Sequence, residues 1–151
     1  MHILIGLLIV LFAIQAIRPE KNHSAAVQPK DISVQVSTPP AIRRILDEAC
    51  YDCHSNNTRY PWYAEVQPAG WILANHIKAG KRHLNLSEFA SLPIEQAKQK
   101  LNRISEEVSQ HEMPLASYTW MHSEAKLSEK QVKELSTWAH QESLFYPSLP
   151  K

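Results

Sequence analysis

The sequence predicts an all-α fold, in which a small helical domain follows an N-terminal membrane-targeting helix. Between residues 38 and 146, apolar side chains recur in several segments at the spacing of one face of an α-helix. No two strand-like segments are joined by a hairpin turn, and there is no internal repeat. The chain has 151 residues, of which 44% are hydrophobic and 21% charged, as is typical of one globular domain.

Charge and glycine content exclude two classes of function. The 16 Lys and Arg residues nearly balance the 15 Asp and Glu residues, which leaves a net charge of +1. This charge offers no basic surface for a phosphate backbone, so we expect no nucleic-acid partner. The three glycines, Gly6, Gly70 and Gly80, cannot form a glycine-rich phosphate-binding loop, which excludes nucleotide enzymes that depend on one.

An uncharged apolar run opens the chain at residues 3–17 and ends before Arg18, the first charged residue. As a helix it would span about 22 Å, less than the roughly 30 Å of a bilayer core. The residues before it include no Lys or Arg, and no good signal-peptidase site follows it. We therefore interpret residues 1–18 as an uncleaved membrane anchor. A cleaved signal peptide and a buried core helix are the alternatives.

Residues 19–37 are mixed polar sequence. The brief alternation of Ile32, Val34 and Val36 is stopped by the double proline Pro39–Pro40. We predict a flexible tether, whose 19 residues would give an end-to-end distance of roughly 25 Å as a coil.

The predicted domain comprises residues 38–146 and begins with a helix that Thr38 caps and whose first turn holds Pro39–Pro40. This helix is predicted to run straight into the two cysteines of the chain. Its apolar face consists of Ile42, Ile45, Leu46 and Ala49.

Three further amphipathic helices follow in the sequence. One begins near Pro68 and ends before Gly80, and another occupies residues 93–108. The last begins with a capping box formed by Ser128 and Gln131 and ends ahead of Pro147. Residues 147–151 are a C-terminal tail.

Both cysteines lie in the run Cys50-Tyr51-Asp52-Cys53-His54, the C-x-x-C-H pattern of c-type haem attachment. Two thiols three residues apart can add to the two vinyl groups of a porphyrin, and the adjacent imidazole can then bind the iron axially. The pattern predicts one covalent haem c, with Cys50 and Cys53 as thioether residues and His54 as the proximal iron ligand. Because this attachment occurs outside the cytoplasm, the domain is expected to face the periplasm.

Three other interpretations of the motif are weaker. A structural disulfide would leave His54 unexplained, and a thioredoxin-like redox pair needs a βαβ pattern that the sequence lacks. Zinc would need two further ligands, and His76 and His83 have six intervening residues where three to five are usual.

The sequence from Cys50 to Phe89, together with that from His111 to Gln131, closely resembles the haem-binding-domain family of small bacterial c-type cytochrome-like proteins. The resemblance implies one covalent haem c on a cytochrome c-like helical domain, commonly behind an N-terminal anchor. It also implies that residues 50–54 are the attachment motif and that Met113-Pro114 is the segment of the distal ligand.

Met113 is predicted to be the distal iron ligand. It lies between the third and last predicted helices, where the chain can return over the haem, and Pro114 favours an extended conformation at Met113. Met121 and His76 are the competing candidates.

Four basic side chains follow the motif and are candidates either for binding the haem propionates or for a docking rim, with an ordinary solvated surface as the alternative. They are Arg59, Lys81, Arg82 and His83.

The expected function is single-electron transfer by a membrane-anchored periplasmic haem protein. An iron held by His and Met has no open position, and no separate acid–base pair is evident, so no catalytic residue is predicted and an enzyme is the less favoured interpretation. The alternatives are a haem peroxidase or a gas or redox sensor, and a structural haem-carrying module of an envelope complex. The expected partners are the membrane, through the N-terminal segment, and a redox protein of unknown identity. Cleavage of the N-terminal segment would instead leave a soluble periplasmic protein.

Overall fold

The computed structural model describes residues 1–24 and 26–146, and all regular secondary structure in these residues is helical. The prediction of an all-α fold is confirmed. The predicted tail at residues 147–151 lies outside the described residues. Eight α-helices follow one another: α1 (His2–Ile14), α2 (Ile32–Gln35), α3 (Pro40–Ala49), α4 (Tyr51–His54), α5 (Ala69–His83), α6 (Ile94–Ser109), α7 (Ala116–Thr119) and α8 (Glu129–Phe145). Three short 3-10 helices lie between them at Trp62–Glu65, Leu86–Ser91 and Ser123–Ala125.

Helix α1 is apolar and none of its side chains is buried against the rest of the chain. The alternative of a buried core helix at the N-terminus is therefore wrong. Among the described residues, there is no helix whose length and apolar character would let it cross a membrane.

The segment at residues 19–37 is not the flexible tether that its polar sequence predicts. Asn22 fixes its first part, because the Asn22 backbone N–H donates to the Tyr60 hydroxyl at 2.6 Å. The Asn22 side-chain amide donates to the Ser55 carbonyl oxygen and to Thr58 Oγ1, both at 2.9 Å. We call residues 19–37 the strap. Its first part therefore lies along the loop that follows the C-x-x-C-H motif.

The second part of the strap enters the core of the domain. Asp31 caps α2 by accepting the Ser33 backbone N–H, and the resulting helical turn places Ile32 and Val36 on one side, where both are fully buried. Asp31 also accepts bonds from Arg43 at 3.1 Å and from the Tyr51 hydroxyl at 2.7 Å. The helical domain thus begins before residue 38, and the period-2 pattern read from the sequence is one turn of helix.

The first helix of the predicted domain differs from the prediction at both ends. Thr38 does not cap it, because its hydroxyl donates to the Val36 carbonyl and the helix begins after Pro39 without a side-chain cap. At the other end the backbone departs from helical geometry at Cys50, with φ −123° and ψ −44°. The motif therefore begins at a break, and its last four residues form the separate turn α4.

Most of the core forms around α6 and α8, which pack against each other over much of their length. The Ser128–Gln131 capping box at the start of α8 is present as predicted. Two clusters of buried apolar residues result. The larger includes Leu46, Leu86, Phe89, Leu101, Ile104, Val108, Leu135 and Trp138, and the smaller consists of Ala64, Leu73 and Ile77.

Candidate haem-binding site

A cavity of about 350 Å³ lies beside the C-x-x-C-H motif, between α5, α6 and the segment at residues 113–118. This volume falls within the range of small-molecule sites, roughly 300 to 1,000 Å³. Most of the lining residues are apolar and come from these elements. From the motif itself, Cys50, Cys53 and His54 all contribute to the wall.

The orientation of the His54 ring is fixed by a hydrogen bond between Nδ1 and the Leu84 carbonyl oxygen, at 3.0 Å. A carbonyl can only accept, so Nδ1 carries the proton and Nε2 keeps its lone pair. Burial lowers the pKa of His54, which favours the neutral ring. A neutral imidazole held by a backbone carbonyl at one nitrogen is the form that binds a metal through the other.

Both thiols of the motif are protonated at neutral pH and are not joined to each other. Burial is the main cause that raises the pKa of the Cys50 thiol to about 12 and that of the Cys53 thiol to about 11. Redox-active C-x-x-C pairs need a lowered thiol pKa, so this environment argues against a thioredoxin-like role. In the part of the chain that the structure describes, no group of three or more His, Cys, Asp or Glu side chains is placed to hold a metal ion.

Gly80 allows α5 to lie directly against the motif. A Cβ atom at this position would come within 2.6 Å of the Cys53 carbonyl oxygen, a distance that no side chain tolerates. The sequence-based prediction ends the helix before Gly80, whereas α5 continues to His83. A glycine inside a helical pattern was the available signal for close backbone approach.

The end of α6 returns the chain to the cavity. His111 adopts a left-handed conformation with φ 58°, and the Glu112 N–H then donates to the Glu107 carbonyl at 2.9 Å, which ends the helix in the manner of a C-terminal cap. The next residue, Met113, lines the same cavity as the motif. His76 on α5 lines it as well, but Met121 does not and is exposed.

The buried carboxylate of Asp52 connects the motif to the far wall of the cavity. It accepts hydrogen bonds from the Tyr118 hydroxyl at 2.7 Å, from Arg59 Nε at 3.0 Å and from the Arg59 backbone N–H at 3.1 Å. Tyr118 itself lines the cavity, a few residues after Met113. Sequence reasoning did not single out Asp52 or Tyr118, because no local pattern marks a contact between residues 66 positions apart.

Most of the basic residues that were predicted to bind the haem propionates do not line the cavity. Arg59 pairs with Asp52 and Lys81 with Asn22, and neither they nor Arg82 line the cavity. Only His83 of the predicted four does. Two residues of α6 were missed, because their helical spacing is that of an ordinary solvated face. They are Lys100 and Arg103.

The chemistry of the lining fits a haem. Its mostly apolar wall suits a porphyrin, two thiols and a neutral imidazole are supplied by one short segment, and Lys100 and Arg103 offer positive charge for carboxylates. A thioether and a second imidazole, from Met113 and His76, are available as further ligands.

Comparison with known proteins gives two matches. The model of the haem-binding domain family matches residues 9–141. A cytochrome c peroxidase of Escherichia coli (strain K12) is 27% identical over 129 residues, an alignment that covers 79% of this chain and 27% of that protein. The chain therefore spans about a quarter of the length of this relative. No solved structure matches.

Proposed function

Because the chain belongs to the haem-binding-domain family, we propose that it binds one haem c covalently and transfers single electrons. One observation carries the proposal: His54 borders an apolar cavity with Nδ1 held by the Leu84 carbonyl, so that Nε2 is free to bind iron. Cys50 and Cys53 border the same cavity. A bound haem supplies reversible one-electron chemistry at iron.

The residues of the motif have distinct roles in this proposal. Cys50 and Cys53 would hold the haem covalently, each thiol adding across one vinyl group so that sulfur bonds to one carbon and the thiol proton goes to the other. His54 would bind the iron through Nε2. The Leu84 carbonyl, by accepting the Nδ1 proton, holds the ring and raises its basicity at Nε2.

Met113 is the proposed distal ligand, supplied by the segment that follows α6. A thioether here would hold the iron together with His54 and would raise the reduction potential, which suits an electron carrier better than a catalyst. Apolar residues that line the cavity, such as Ile104 on α6 and Leu115 just before α7, would limit the access of water to the iron.

The proposed location is the periplasmic side of a membrane. The fully exposed apolar helix α1 favours attachment to lipid, and covalent haem attachment through a C-x-x-C-H motif takes place outside the cytoplasm. A cleaved, soluble periplasmic form is the alternative, which the intact mass of the mature chain distinguishes.

A second candidate function is peroxide reduction or ligand sensing, which the similarity to a cytochrome c peroxidase favours. This chain covers only 27% of that relative, so the activity of the whole relative is not carried over. Such a function requires a distal ligand that leaves the iron. Consumption of peroxide or binding of carbon monoxide by the unmodified protein would support it, whereas rapid electron exchange with a soluble cytochrome without either would support the carrier.

The haem proposal is tested by expression with a cytochrome c maturation system. We expect haem that stays with the chain through denaturing electrophoresis, at one haem per chain by pyridine haemochrome. Replacing both Cys50 and Cys53 with Ala should remove the covalent haem, whereas the control Met121→Ala should retain it. A stably folded and colourless wild-type protein would contradict the proposal.

A further inference from the structure

The base of α1 is bonded directly to the domain. The side-chain amide of Gln15 pairs with both backbone groups of Gln67, donating to its carbonyl oxygen at 3.0 Å and accepting from its N–H at 2.8 Å. Two residues further along the chain, the Ile17 carbonyl accepts the indole N–H of Trp71 at 2.8 Å. These bonds set the direction in which α1 leaves the domain.

Charged residues extend the same junction. Arg18 pairs with Glu65 at 2.7 Å, and Lys21 binds the other oxygen of the same carboxylate. These pairs are exposed to solvent and are individually weak. They matter for position, since they bond the first two basic residues after α1 to the segment that already holds Gln15.

The segment that receives α1, residues 62–72, carries three large apolar side chains that the domain leaves uncovered. Trp62 is 75% exposed, Val66 is 47% exposed and Ile72 is 57% exposed. A tryptophan with its ring in an apolar medium and its N–H near water is favoured at a membrane interface. We call these three side chains the base residues.

We propose that the base residues rest on the surface of a phospholipid bilayer into which α1 inserts. The proposal deepens the membrane attachment stated under the proposed function and rests on it, by naming the face of the domain that contacts lipid. Helix α1 identifies lipid as the partner of this face, because a helix that is apolar on all sides and buries no residue in protein requires an apolar solvent. Since bonds from Gln15, Ile17 and Arg18 join α1 to the segment of the base residues, lipid around α1 also reaches them.

This arrangement also positions the cavity. Helix α5 begins at Ala69, beside the base residues, and its cavity-lining residues run from His76 to His83. At 1.5 Å per residue, these residues lie about 6 to 16 Å along α5 from the base residue Ile72.

The proposal is tested with the full-length protein in nanodiscs of phosphatidylcholine and phosphatidylglycerol. The four tryptophans are replaced with 5-fluorotryptophan, and the haem is kept in the reduced state. Trp120 is the residue for comparison, because it is 85% exposed and does not belong to the segment that receives α1. Trp62→Phe and Trp120→Phe assign the two fluorine resonances. We expect a nitroxide on the lipid acyl chains to broaden the Trp62 signal at least threefold more than the Trp120 signal.

Gln15→Ala, which removes the bonds to Gln67, should reduce the broadening of the Trp62 signal in the same discs. Equal broadening of both signals, or broadening of Trp120 alone, would overturn the proposed face. Failure of the full-length chain to enter the discs would overturn it together with membrane attachment. The haem content, measured separately on the same sample, reports on the proposed haem function independently of these outcomes.

Discussion

The hydroxyl of Tyr118 donates a 2.7 Å hydrogen bond to the carboxylate of Asp52, and so joins the segment that carries Met113 to the C-x-x-C-H motif. Asp52 is buried and is also held by Arg59. Burial raises the pKa of Tyr118, so the phenol keeps its proton and its role as donor. Hydrogen bonds to charged groups contribute roughly 1.5 to 3 kcal/mol.

Tyr118→Phe should lower the free energy of unfolding by about 2 kcal/mol and loosen the segment that carries Met113. In the haem-loaded protein, we expect weaker sulfur-to-iron absorption in the ferric spectrum and faster binding of carbon monoxide. Tyr146→Phe is the control, because the Tyr146 hydroxyl donates to the Gln35 side chain, outside the motif and outside that segment. It should leave the spectrum unchanged. If both variants changed the spectrum to the same extent, the role assigned to Tyr118 would be wrong.

Met113→Ala should leave the covalent haem in place but abolish the weak sulfur-to-iron absorption of the ferric state. The reduction potential should fall and the iron should become open to carbon monoxide, because the thioether that favours the ferrous state is gone. Met121→Ala, whose side chain lies outside the cavity, should change neither property. Loss of both signatures in His76→Ala, with an unchanged Met113→Ala, would assign the distal ligand to His76 instead.

Gly80→Ala should force α5 away from α4, because the new methyl group would overlap the Cys53 carbonyl. Overpacking of this kind costs about 1 to 3 kcal/mol, and we expect a lower yield of attached haem as well. Gly6→Ala serves as the control, since no other atom lies within 4 Å of a Cβ at that position. Urea unfolding measures both variants. Equal stability of the two would refute the close contact of α5 with the motif.

Ile32→Ala should destabilise the domain by about 2 to 5 kcal/mol, because this side chain of the strap is fully buried in the larger cluster. Val34→Ala, on the exposed side of the same turn, should change the free energy of unfolding by no more than about 0.5 kcal/mol. Chemical denaturation distinguishes the two. If this segment were a flexible tether, neither variant would change the free energy of unfolding.

Features that repeat over several helical turns were predictable from the sequence. The apolar stripe that includes Leu101 and Ile104 predicted α6, and Ser128 with Gln131 predicted the start of α8, because each signal is local and reinforced along the chain. The C-x-x-C-H motif likewise lies within five consecutive residues and can be recognised from the sequence, whereas the cavity beside it forms only when α5, α6 and residues 113–118 come together.

Features that depend on distant contacts were not predictable. Helix α2 is a single turn, and the buried residues at its start and just past its end, Ile32 and Val36, are too few to distinguish helical from alternating spacing. Asn22 is an ordinary polar residue in the sequence. It bonds to several residues only because the strap folds back on the loop after the motif. The bond between Asp52 and Tyr118 likewise arises only when the chain has closed around the cavity.

The two cysteines of the motif pack against different parts of the core, Cys50 against the larger apolar cluster and Cys53 against the smaller. A macrocycle bonded to both sulfurs would make one cooperative unfolding unit of the two clusters, since neither could open without straining a covalent ring system shared with the other. Without it, the clusters are joined only by noncovalent contacts and the backbone, among them the turn α4 and the close approach at Gly80. Calorimetry should then resolve two transitions in the chain lacking haem and a single transition in the haem-loaded protein.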